Sequence, residues 1–124
     1  MKLVLDTNFL ISMVNFHISL SEALDCIESG AEPVILGASM AELEKLINEG
    51  NSTERKSAKL ALSVAKANKI KVIAPETGYV DDLLLGLDPK EYIVATQDNE
   101  LKRRLKQKGF KLVVIRQKKY TKVE

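Results

Sequence analysis

Tryptophan is absent, cysteine and histidine occur once each, and the 124 residues include only three prolines and six glycines. A lone Cys26 excludes an intrachain disulfide and a thiolate cluster for zinc. With His17 as the only imidazole, the chain has little for nucleophilic or imidazole acid–base chemistry of its own. Scarce Pro and Gly, with 45% hydrophobic and 29% charged residues, exclude the disordered and low-complexity classes. No apolar run approaches the roughly 18 residues of a membrane span. The N-terminus has no basic stretch followed by an apolar run and a small-residue cleavage site. These absences predict a cytoplasmic protein with no membrane partner, of a length suited to one core.

The net charge of +2 conceals a division. From residue 101 onward ten Lys and Arg face one acid, Glu124, so this segment carries +9 and the first hundred residues −7. An acidic body joined to a basic segment suits a protein that gathers cations at one place and polyanions at another. The same bases would equally serve to solvate a helix and a frayed tail.

Hydrophobic patterning predicts short buried strands alternating with helices. Met1 to Leu5, Pro33 to Leu36, Ile70 to Ala74, Tyr92 to Thr96 and Lys111 to Ile115 read as strands. Helices are expected over Asn8 to Val14, from Ser19 toward Gly30, from Ser39 to Gly50, from Asn51 or Ser52 to about Ala67, from Tyr79 to Leu87, and from Asp98 to Gly109. Ser19-x-x-Glu22 and Ser39-x-x-Glu42 have the form of capping boxes, and Asp98 that of an N-cap. Strand–helix alternation implies an α/β fold, a three-layer α/β/α sandwich around a parallel sheet of about five strands.

Acids recur at one kind of position in this pattern. Asp6 ends the first strand, Glu42 opens the helix after the second, Asp81 and Asp82 open the helix after the third, and Asp98 follows the fourth. In parallel sheets, sites collect at the carboxyl ends of the strands. Taken singly, Glu42, Asp81, Asp82 and Asp98 are explained by capping or by the helix macrodipole. Asp6 is not, because a carboxylate closing a buried strand with no neighbouring Lys or Arg requires something cationic. Converging carboxylates suit Mg²⁺ or Mn²⁺, which lowers the pKa of a bound water and neutralises charge on a phosphodiester.

Four segments then resemble the PIN-domain family: Lys2-Leu3-Val4-Leu5-Asp6-Thr7-Asn8-Phe9-Leu10, Ser39-Met40-Ala41-Glu42-Leu43, Val80-Asp81-Asp82-Leu83-Leu84-Leu85, and Tyr92-Ile93-Val94-Ala95-Thr96-Gln97-Asp98. They occur in the family's order and spacing and span essentially the whole chain. The resemblance implies a Mg²⁺- or Mn²⁺-dependent endoribonuclease. Its catalytic acids would be Asp6, Glu42, Asp81 and Asp98, with Asp82 a further metal ligand and Asn8 and Thr96 polar supports. Asp81 is preferred to Asp82 for the inward position because its spacing to Leu84 fits the family's Asp-x-x-apolar pattern. Lys102, Arg103, Lys118 and Lys119 are candidate RNA contacts. On this reading residues 1–116 form the nuclease domain and 117–124 a basic C-terminal tail. The end of the chain resembles ribosomal-RNA-processing factors, and toxins of toxin–antitoxin pairs share the core. A homodimer, an antitoxin and a ribosome-assembly partner are therefore all implied. A receiver domain would need an acidic pair at the end of the first strand, and a haloacid-dehalogenase-like phosphatase an acid at the position of Asn8. A non-catalytic RNA-binding scaffold of the same fold is the non-enzymatic alternative.

Overall fold

The computed structural model describes residues 1–124. Along the chain run β1 (Lys2–Leu5), α1 (Thr7–Asn15), α2 (Leu20–Asp25), β2 (Glu32–Leu36), α3 (Gly37–Glu49), α4 (Ser52–Ala67), β3 (Lys71–Ile73), α5 (Val80–Leu85), β4 (Tyr92–Ala95), α6 (Asn99–Gln107), β5 (Leu112–Arg116) and β6 (Tyr120–Val123). The sheet order is β3-β2-β1-β4-β5-β6. Its first five strands are parallel, with Val4 opposite Val34 on one side and Leu5 opposite Ala95 on the other.

Successive side chains of a strand point to opposite faces, and a sheet covered on both sides must bury both sets. Leu3, Leu5, Ile35, Ile93, Ala95, Val113 and Ile115 pack under Phe9, Leu10 and Met13 of α1, Leu43 of α3 and the alanine face of α4. Val4, Val34, Leu36, Val94, Leu112 and Val114 meet Leu84 and Leu85 of α5 and Leu101 and Leu105 of α6. Four helices thus cover one face and two the other, which is the three-layer α/β/α sandwich.

Local chemistry sets most helix ends. At α2 the Ser19 hydroxyl accepts from the Glu22 N–H at 3.2 Å while Glu22 accepts from the Ser19 N–H at 3.1 Å. Asn51 and Glu54 make the same reciprocal pair at α4, at 2.9 and 3.0 Å. The expected box at Ser39 and Glu42 does not form. Helix α3 begins directly off β2 with Leu36 at the N-cap, so Ser39 lies inside the first turn, fully buried.

The segment expected as a basic tail also takes another form. After β5 the chain turns through Gln117 and Lys118, both at positive φ (54° and 57°), and Tyr120–Val123 pairs antiparallel with β5 as a sixth strand. A hairpin whose turn needs two left-handed residues is usually marked by Asn or Gly. Here neither is present, and the strand held in place by that turn is short. Backbone bonds between Glu124 and Leu112 at 2.7 and 2.9 Å, and one from the Thr121 hydroxyl to the Glu22 carbonyl at 3.1 Å, fasten it.

Gly37 is where the fold reaches toward the candidate site. A Cβ there would stand 2.8 Å from the carbonyl oxygen of Ala74 and 3.0 Å from the Pro75 carbonyl. The loop leaving β3 is thus packed backbone to backbone on the start of α3. Gly37→Ala is expected to displace residues 74–79 and destabilise the protein by about 1–3 kcal/mol, as overpacking does. Urea denaturation measures this; an unchanged midpoint would mean the loop gives way freely.

Candidate functional site

The chain runs from β1 outward to β2 and β3, and α5 then carries it back across the sheet to β4 on the other side of β1. The strand order therefore reverses between β1 and β4. In open α/β sheets the crevice above such a point is where ligands bind. Asp6 is the first residue beyond β1 and lies in that crevice.

Asp6 is only 5% exposed. Its N–H donates to the Ala95 carbonyl at 3.0 Å, extending the ladder by one bond. The Thr96 hydroxyl donates to Asp6 Oδ2 at 2.9 Å. The same hydroxyl oxygen accepts from the Asp98 N–H at 3.2 Å. One buried threonine thus couples the end of β1 to the start of α6. Asp6 is also the N-cap of α1 by backbone conformation but makes no side-chain capping bond; its one backbone interaction with the helix is with Thr7, the weakest of the influences on its carboxyl. Burial pushes that carboxyl up to about 6; the Thr96 hydrogen bond opposes this, and the charges of Asp81 and Glu42 raise it further. No salt bridge involves Asp6.

The remaining acids stand around this floor. Asp81, in the first turn of α5, is raised by burial and then by Asp98, with Arg104 opposing. Asp98 is the N-cap of α6 and accepts from the Leu101 N–H at 2.9 Å, leaving one carboxylate oxygen outside that bond. Glu42 is exposed, and because the capping box does not form, it is free of that structural duty. It shares a cleft with Asn8, Lys45 and Glu49. Asp82, although adjacent to Asp81, lines a separate depression with Arg104 and Lys108. Asp6, Glu42, Asp81 and Asp98 are therefore linked electrostatically, with one buried member and three solvent-facing ones. Asp82 enters only as a neighbour of Asp81.

No three His, Cys, Asp or Glu side chains form a ready-made metal cage. In donor type, however, the residues fit a hard divalent cation. All are carboxylates, one is buried with no positive partner, and the hydroxyls of Thr7 and Ser39, in the first turns of α1 and α3, are buried without any hydrogen-bond partner. Mg²⁺ typically takes one or two carboxylates and keeps several waters, so it needs no closed protein cage.

The basic segment divides over two sides of α6. Leu101 and Leu105 face the core. Lys102 and Lys106 stand on the side of the β5–β6 hairpin, and Arg104 and Lys108 on the side of α5, where the Lys108 ammonium donates to the Leu85 carbonyl at 3.1 Å. Lys102 is lowered by burial and by the nearby Arg116 and Lys106. Glu124 pairs with both Lys106 and Arg116. Arg103 is engaged by Glu100 on the exposed face, Lys118 lies 5.9 Å from the centre of the Phe16 ring, and Lys119 is exposed in the turn. Arg104, Lys106 and Arg116 were not singled out from the sequence. The helical spacing of Lys102 and Lys106 carried a signal, whereas the approach of Arg116 depends on the hairpin.

An α/β fold with acids gathered at its switch point defines a class, and comparison with known proteins narrows it. A family model described as "PIN like domain" matches residues 3–118. The chain is 34% identical to ribonuclease VapC4 of Methanocaldococcus jannaschii, over 96% of this chain and 93% of that protein. It is 32% identical to the rRNA-processing protein FCF1 of Saccharomyces cerevisiae, over 85% of this chain but only 54% of that protein, about half its length. Among solved structures, the PIN domain endonuclease Utp24 superposes with a TM-score of 0.80 at 28% identity, covering 99% of this chain and 90% of that one. The chain belongs to the PIN-domain family.

The geometry yields two expected outcomes. A buried acid whose folded pKa is raised stabilises the fold only while protonated, and that contribution is lost as pH rises through about 6. In EDTA at pH 7.5, Asp6→Asn is therefore expected to be more stable than the natural chain by up to about 3 kcal/mol, shrinking below about 1 kcal/mol near pH 4. Urea denaturation at both pH values checks this, and a penalty at pH 7.5 would contradict the cost assigned to the buried charge. Thr96→Val removes the hydrogen bond that opposes burial. The Asp6 carboxyl should then titrate at higher pH than in the natural chain, read by ¹³C NMR of its carboxyl carbon.

Proposed function

We propose that this protein is a metal-dependent endoribonuclease that hydrolyses RNA phosphodiester bonds at the crevice holding Asp6, Glu42, Asp81 and Asp98. The observation that carries the reading is the Asp6 carboxylate at the switch point of the sheet, unpaired with any cation and raised first by its burial and then by Asp81 and Glu42. A chain with one histidine and one cysteine has no side-chain nucleophile–base pair to offer instead. A ribonuclease and an rRNA-processing protein among its relatives support RNA as the substrate.

Asp6, Asp81 and Asp98, with Glu42 from the other side, are the residues that would hold Mg²⁺ or Mn²⁺. When bound, the ion supplies charge neutralisation on the phosphodiester and a more acidic attacking water. The protein's own part is to hold these groups in place. Thr96 orients Asp6, the N-cap bond orients Asp98, and the solvent-facing carboxylates accept hydrogen bonds from the attacking water. Lys102, Lys106 and Arg116 form a cationic strip beyond Asp98 suited to the phosphates of the bound strand. Lys118 and Lys119 extend it onto the hairpin turn. Contacts of this kind hold the backbone without reading bases. The biological setting is ribosomal-RNA processing or the toxin of a toxin–antitoxin pair, the two settings that the family resemblance offers.

The test is cleavage of an end-labelled structured RNA with Mn²⁺, Mg²⁺ or EDTA, comparing the natural chain with Asp6→Asn. Cutting that EDTA abolishes and Asp6→Asn lowers by at least about 100-fold, the scale of losing a group that stabilises transition-state charge, is the expected result. Binding without cutting by either protein would favour the scaffold function instead.

A further inference from the structure

Six aromatic side chains occur in the chain, and five have an internal role or a neighbour that accounts for them. Phe9 and Phe110 are core residues. Phe16 packs against the core beneath Lys118, Tyr92 lies beneath Lys2, and Tyr120 pairs with Arg116 across the hairpin. The sixth, Tyr79, is 80% exposed, the highest exposure among the large apolar and aromatic side chains. Its hydroxyl makes no hydrogen bond to any other residue.

Its backbone, in contrast, is firmly placed. Tyr79 is the N-cap of α5, its carbonyl accepts from the Leu83 N–H at 3.0 Å, and the next residue, Val80, is buried in the core. Gly78 before it sits at φ +106°, a conformation that turns the chain sharply into the helix. The loop behind is packed through Ala74 and Pro75 against Gly37. A flat ring is thus held out into solvent from a fixed point two residues before Asp81.

The charge around it selects what that ring would meet. Residues 74–79 contain no Lys or Arg, while Glu76, Asp81 and Asp82 are acidic. The cations on this side, Arg104 and Lys108, are already set against Asp81, Asp82 and the Leu85 carbonyl, so a phosphate gains little there, whereas the uncharged face of a nucleobase does not depend on a free cation. The cations Lys102, Lys106 and Arg116 lie at the other side of Asp98, toward β5 and β6. Base–aromatic stacking is tolerant of sequence and requires a base with a free face, which a continuous duplex does not provide.

Resting on the reading of the site as an RNA-cleaving one, we propose that Tyr79 is a stacking platform for an unpaired base of the bound strand, on the α5 side of the acids. The strand would be gripped at two points, by its base at Tyr79 and by its phosphates along Lys102, Lys106 and Arg116. The acidic crevice lies between them.

The experiment measures binding rather than cutting, and so is independent of whether the crevice hydrolyses anything. Asp6→Asn protein in EDTA is titrated into a single-stranded oligoribonucleotide carrying 2-aminopurine, whose fluorescence is quenched on stacking, and into the same strand paired with its complement. The single strand is expected to bind with quenching. Adding Tyr79→Ala should abolish the quenching and weaken binding roughly five- to hundred-fold. Tyr79→Phe should retain both, and the duplex should show no dependence on residue 79. Lys90→Gln, at the opposite end of the sheet, should match the parent. Unchanged affinity and quenching in Tyr79→Ala would overturn the proposal, as would loss of both in Tyr79→Phe, which would assign the effect to the hydroxyl. Unchanged RNA binding with a lowered sedimentation coefficient for Tyr79→Ala would overturn it in favour of a protein contact involving Tyr79 and the exposed Val72 of the edge strand β3.

Discussion

The hydroxyl of Thr96 stands between two chain segments that the rest of the site depends on. It donates to the Asp6 carboxylate and accepts from the Asp98 N–H. The end of the central strand and the beginning of α6 are therefore fixed relative to each other by a single buried group. A buried charge without a counter-cation is unfavourable, and the Thr96 hydroxyl, followed by the backbone N–H of Thr7, is what lowers that burden. The fold tolerates the arrangement because β1 is flanked by β2 and β4 and covered on both faces, so Asp6 cannot relax into solvent without breaking the ladder around it. Strain of this electrostatic kind is characteristic of sites that receive a ligand of opposite charge.

Around that fixed point, the other acids are held by ordinary helix starts. Asp81 and Asp98 belong to the first turn and the cap of α5 and α6, where the macrodipole favours negative charge. This favourable contribution lets the chain keep several carboxylates near one another in the absence of a cation. Glu42 departs from the rule, since α3 starts earlier than its sequence suggests and leaves that side chain exposed and unbonded. The earlier start follows from Gly37, which lets the helix spring directly from β2 against the backbone of residues 74 and 75. That contact also anchors the loop leading to Tyr79 and Asp81, so a packing detail on one strand end bears on the placement of acids from another.

The basic segment illustrates how tertiary structure sorts charge. Ten bases follow one another along the chain with little apparent order. In the fold, α6 sends Arg104 and Lys108 toward α5 and Lys102 and Lys106 toward the hairpin, where Arg116 joins them and Glu124 partly neutralises them. The result is that Lys102, Lys106 and Arg116 gather beyond Asp98, while Arg104 and Lys108 stand beside the acids of α5.

The hydrophobic periodicity of the five parallel strands, the capping pairs at Ser19 and Asn51, and the recurrence of acids after strands were all determined by local sequence, because each depends on residues a few positions apart. The α/β class and the four acidic segments were legible for the same reason. The sixth strand was not, since its turn is made by Gln117 and Lys118 in a conformation neither residue advertises, and it is fastened to Leu112 of the adjoining strand and to Glu22, which is distant in sequence. Nor was the start of α3, which is decided by backbone contact with the loop after β3. The separation of Asp81 from Asp82, the approach of Arg116 to Lys102 and the bond from Thr96 to Asp6 likewise depend on strand order and helix rotation. Such long-range juxtapositions have no local sequence period, and only the packed sheet brings their partners together.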